Sequence, residues 1–122
     1  MSRTNEIFAR QFAQEWVNAW NAHNLDLVLE HYEEDFVLQS PMITTITGDP
    51  SGRLLGKTAV RSYWSAALQR LPSLHFDLLD VLLGADCVTL YYRGHRGLVA
   101  ETFFFNDGAK VVQAAATYSI DV

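Results

Sequence analysis

Cysteine is nearly absent from this chain. Cys87 stands alone, so no internal disulfide can staple the fold. It falls in an apolar run and reads as a small buried hydrophobe rather than a nucleophile. Positive charge is scarce as well. The nine Lys and Arg are scattered and the formal net charge is −5. Phosphate binding needs clustered cations, so nucleic acid is excluded as the default partner. No apolar run approaches the roughly 20 residues of a membrane-spanning helix, and no membrane association is expected. The opening stretch, Met1 to Glu6, has no apolar segment of signal-peptide type. A cytoplasmic location is the resulting expectation. No internal repeat, low-complexity tract or linker divides the chain.

What is present is apolar. Hydrophobic residues make up 49% and charged residues 19% of 122, enough for a sizeable core in one domain spanning 1–122. Helical periodicity fills the first half and strand-like runs fill the second, which predicts an α+β domain. Phe8, Phe12, Trp16 and Trp20 recur at four-residue spacing and predict a helix from Asn5 to Asn21, capped by Thr4 or Asn5. Asn24 can cap a second helix from Leu25 to Tyr32. Glu33-Glu34-Asp35 reads as a solvated acidic turn. Phe36 to Ser40 reads as a short strand ended by Pro41, followed by a loop through Gly48-Asp49-Pro50-Ser51-Gly52. A third helix is predicted from Lys57 to Leu71, stopped by Pro72. Four strands follow at roughly 74–83, 87–95, 98–106 and 110–119, joined by connections short enough for antiparallel hairpins.

Side chains alternate along a strand, so Phe103, Phe104 and Phe105 cannot share a face. Both faces of the sheet therefore need cover. Helices supply one, and the other is expected to meet a second copy in a homodimer.

Familiar catalytic motifs are missing. Gly52-Arg53-Leu54-Leu55-Gly56-Lys57-Thr58 has three residues between its glycines where a phosphate-cradling loop needs four. No Gly-x-Ser-x-Gly elbow exists. His23, His31, His75 and His95 form no close pair at metal-ligand spacing, so no metal site is expected. His31 falls on the second helix near the surface, and His75 can face the interior at a strand start.

Glu101 is the informative residue. Strand parity puts it on one face with Phe103 and Phe105. A carboxylate among aromatics is costly unless hydrogen-bonded or protonated. Burial would raise its pKa into the range useful for acid–base work near neutrality. The alternative is an edge residue paired with Arg93 or Arg96. Trp16, Trp20, Tyr32, Tyr63 and Trp64 form a rich aromatic set; packed from helices onto a curved sheet, they can line an apolar pocket. Ser40 can add a hydrogen bond to such a cavity.

Four segments, in this order and spacing, resemble the nuclear transport factor two-like superfamily, in particular its SnoaL-like and ketosteroid isomerase-like branch. They are Trp16 to Asp26, Tyr32 to Pro41, Gly56 to Tyr63 and Phe103 to Val111. The resemblance implies a cone: a curved antiparallel sheet wrapped around N-terminal helices and enclosing a deep pocket. Relatives include isomerases, cyclases, hydrolases and dehydratases, together with proteins that only bind or assemble. In the isomerases a helix-one tyrosine and a late-strand acid hold the enolate oxygen, and an aspartate before a proline moves the proton. The matching positions here are Trp16, Glu101 and Ser40, and only Glu101 keeps its chemical type. The expectation is an isomerase, cyclase or lyase acting on a small apolar carbonyl compound. Glu101 would be its acid/base, Trp16 and Ser40 polar helpers, and Trp20, Tyr32, Tyr63, Trp64 and Phe103 walls, with no cofactor. A non-catalytic ligand-binding or dimerisation module is the alternative.

Overall fold

The computed structural model describes residues 4–120. Helix α1 (Glu6–Asn21) begins at Asn5, whose side chain accepts from the Phe8 N–H. Its four-residue stripe is buried: Phe12, Trp16 and Trp20 are each at most 5% exposed. After α1, His23 adopts a left-handed conformation (φ 55°), which turns the chain into α2 (Leu25–Leu29), capped by Asn24.

The predicted second helix is too long. Tyr32 is the first residue of strand β1 (Tyr32–Gln39), and the acidic run Glu33-Glu34-Asp35 lies within that strand rather than in a turn. Pairs with the last strand flank the run, Tyr32 opposite Val111 and Val37 opposite Gln113, and the acidic residues span the register shift between them. His31 falls between α2 and β1, and is half-buried.

Pro41 does not lead into a plain loop. It occupies the first turn of α3 (Pro41–Thr47), where its missing N–H costs nothing, and Ser40 caps that helix by accepting from the Met42 N–H at 3.1 Å. The run Ile43-Thr44-Thr45-Ile46-Thr47 is β-branched and gives little helical signal. Gly48 ends the helix at φ 82°. The short strand β2 (Arg53–Leu55) pairs with β1, and α4 (Lys57–Arg70) follows.

Strands β3 (Asp77–Gly84), β4 (Cys87–Gly94), β5 (Gly97–Phe105) and β6 (Val111–Tyr118) complete a six-stranded sheet of order β2-β1-β6-β5-β4-β3. All pairs are antiparallel except β1–β6, which is parallel. The four late strands form the expected antiparallel hairpins, and β6 meets β1 in parallel. Register shifts in β1–β6, β3–β4 and β5–β6 bend the sheet around α1. Alternation is clean along β5: Val99, Glu101, Phe103 and Phe105 are buried, whereas Phe104 is 41% exposed on the outer face. Leu82 is half exposed. Cys87 is half-buried rather than fully buried.

Candidate active site

A cavity of about 110 Å³ lies between α1 and the inner face of the sheet. Helix periodicity sets one wall, because Trp16 and Trp20 are one turn apart on the buried stripe of α1. Tyr63 and Trp64 come from α4, and Met42 and Ile46 from α3. The sheet contributes Tyr92, Val99, Glu101 and Tyr118. Phe76 stacks on Trp16 at 5.6 Å with an interplanar angle of 13°. At the open end stand His95 and Arg96, both exposed, on the turn between β4 and β5.

Glu101 is 5% exposed. Tyr92 faces Val99 across the β4–β5 ladder, so Glu101 is its diagonal neighbour on the same face. The Tyr92 hydroxyl donates to Glu101 Oε1 at 2.8 Å. Among the described residues no arginine reaches the carboxyl, so the edge pairing with Arg93 or Arg96 considered from sequence does not form. Burial pushes the Glu101 pKa up to about 7, with the Tyr92 hydrogen bond pulling the other way. A group with that value is divided between acid and base at neutral pH.

The surrounding phenols stay protonated. Burial, and then the Glu101 charge, raise Tyr92 and Tyr32 well above their ordinary range. Burial also raises Tyr63, and it lifts Tyr118 to about 12. The Tyr118 hydroxyl lies 3.3 Å from Ser40 Oγ.

Five of the residues singled out from sequence meet at the cavity: Trp16, Trp20, Tyr63, Trp64 and Glu101. Three do not line it. Tyr32 and Phe103 are 2% and 0% exposed and pack behind Trp16 as core. Ser40 is turned to the start of α3 and touches the site through the hydroxyls of Tyr118 and Tyr63. Trp16 does line the cavity, yet its indole N–H donates to the Tyr32 hydroxyl at 2.9 Å. Among the described residues, the buried side-chain polar atom without a hydrogen-bond partner is Trp20 Nε1. His75 does not face the interior; it is exposed beside Asp77.

Tyr92, Tyr118, Met42 and Phe76 were missed. Strand parity with Glu101 carries the signal for Tyr92. Met42 belongs to the helix that sequence reasoning read as a loop.

A polar clamp sets the wall that holds Phe76. The Asn21 side chain accepts from the Phe76 N–H at 2.7 Å and donates to its carbonyl at 3.0 Å. His23 Nε2 bonds the Leu74 carbonyl at 2.8 Å.

The sequence profile of the SnoaL-like domain matches residues 13–121. A SnoaL-like protein of unknown function from Burkholderia thailandensis is 48% identical, with a TM-score of 0.92 over 98% of this chain and 99% of that one. A nuclear transport factor two-like protein from Anabaena variabilis is 18% identical, with a TM-score of 0.75 over 94% and 89%. A cystatin-fold protein from Novosphingobium aromaticivorans is 19% identical, with a TM-score of 0.73 over 97% and 99%. The last two likenesses concern the fold. Among proteins with curated descriptions, none matches the chain. With the profile spanning most of its length and a relative of the same kind at 48% identity, the chain belongs to the SnoaL-like family.

Proposed function

We propose that this protein is a cofactor-independent enzyme of the isomerase, cyclase or lyase type, moving a proton on a small, largely apolar carbonyl compound. The supporting observation is Glu101: a buried carboxyl lining an aromatic cavity, with a pKa raised to about 7. Its carboxylate removes a proton from the carbon beside the carbonyl, leaving the electron pair as an enolate and forming the carboxylic acid. That acid then returns the proton to carbon. The hydroxyls of Tyr63 and Tyr118, kept protonated by burial, are the cavity donors for the enolate oxygen.

The experiment is deuterium uptake from heavy water into a panel of small cyclic ketones, followed by NMR. The native protein accelerates exchange, and Glu101→Gln lowers that acceleration by about 10²- to 10⁴-fold, the usual worth of a positioned acid–base group. Equal exchange in both proteins would remove the catalytic reading. A second reading, a non-catalytic ligand-binding domain, is favoured by the polar helpers: the Trp16 N–H is taken by Tyr32, and the Ser40 hydroxyl caps α3. It predicts ligand retention by both proteins and exchange by neither.

A further inference from the structure

The cavity mouth has a charge character opposite to that of the chain. The formal net charge is −5, yet the ionisable residues at the open end are His95 and Arg96. Glu101 is the acid in the lining, and it sits in the buried interior. Arg96 makes no ion pair or side-chain hydrogen bond among the described residues. Asp77, at the start of the adjoining strand, lies opposite Arg93 in the β3–β4 register and is approached by His75 at 3.3 Å. Arg93 follows the inward Tyr92 and so falls on the outer face.

The hairpin fixes the backbone that carries the cation. Gly94 pairs with Gly97, leaving His95 and Arg96 as the two-residue tip. Gly97 takes φ 111°, a conformation that side-chain-bearing residues rarely adopt. The tip is thereby fixed beside the wall built by Val99 and Tyr92.

Below the tip the lining is aromatic and aliphatic. An apolar cavity of about 150 Å³ holds a benzene-sized guest, and the 110 Å³ here, open at one end, suits a body of similar or smaller size. We infer that the ligand is an amphiphilic anion: a small apolar ring or branched chain that enters the cavity, carrying a carboxylate or equivalent anionic group that stays at the mouth on Arg96. The inference rests on the cavity being the ligand site and does not require turnover.

The test compares benzoate with its neutral isostere benzamide on the full chain, read by ligand-observed NMR. The fluorescence of Trp16, Trp20 and Trp64, which line the cavity, gives a second reading. Benzoate is expected to bind at least about threefold tighter, in the range of a solvent-exposed ion pair. Arg96→Gln, an exposed substitution, is expected to erase the preference, read as the ratio of the two affinities in the same variant. Raising salt from about 50 mM to about 500 mM is expected to weaken benzoate alone. Equal binding of the two probes, binding of neither, or a preference that survives in Arg96→Gln overturns the inference. Glu101→Gln keeps the preference if the inference holds, so loss of catalysis and loss of anion selection are separately visible.

Discussion

Replacing Glu101 with Gln removes one ionisable group from the interior while keeping its volume and its capacity to accept from Tyr92. The effect on stability depends on pH in a calculable way. The carboxyl has an ordinary value of 4.5 and a folded value of about 7. Below about pH 4.5 it is protonated in both the folded and unfolded chain, and the native state bears no ionisation cost. Between 4.5 and about 7 the unfolded chain releases the proton while the native protein retains it. Stability therefore falls as pH rises, by about 1.4 kcal/mol per pH unit. Above about 7 both states are charged and the loss levels off at roughly 3 kcal/mol. Glutamine has no proton to lose. Urea unfolding followed by tryptophan fluorescence should show the variant gaining roughly 3 kcal/mol on the native protein between about pH 4 and about pH 8. A stability difference that stays constant over that range would refute the claim that the carboxyl titrates inside the folded cavity. A native protein made less stable by its own candidate acid–base group fits the general conflict between activity and stability.

Tyr92→Phe deletes the hydrogen bond that opposes the upward shift of Glu101; carboxyl NMR titration should find its midpoint higher than in the native protein. Trp16→Phe strands the Tyr32 hydroxyl in the core. Urea unfolding should report a loss of about 1–3 kcal/mol from that unsatisfied group, beyond the effect of lost ring area. Asn21→Ala releases both main-chain groups of Phe76, and hydrogen exchange at the Phe76 amide should speed up relative to amides in the middle of β5.

Much of the architecture was legible because burial is written in period. Four-residue spacing located α1 within one residue, and two-residue alternation placed Glu101 on the inner face of β5. The failures share a physical cause. Tyr32 carries a helical pattern forward from Leu25, but it pairs with Val111 on a strand almost eighty residues away, which no local window registers. The helix Pro41–Thr47 is made of residues with strand preference and is nucleated by a serine cap and a proline at its first turn. Trp16, Tyr32 and Ser40 were recognisable as polar aromatics or hydroxyls near a cavity. Which of them had spent its hydrogen bond elsewhere depended on contacts sixteen and seventy-eight residues apart.

Asn21 and His23 hold the segment that carries Leu74 and Phe76, and they do so entirely through main-chain atoms of that segment. The anchorage is therefore indifferent to side-chain identity at positions 74 and 76. A lineage could exchange either residue for a smaller or more polar one and keep these three hydrogen bonds. Two of the cavity's facing positions are thus free to drift toward new guests while the frame that presents them is inherited intact.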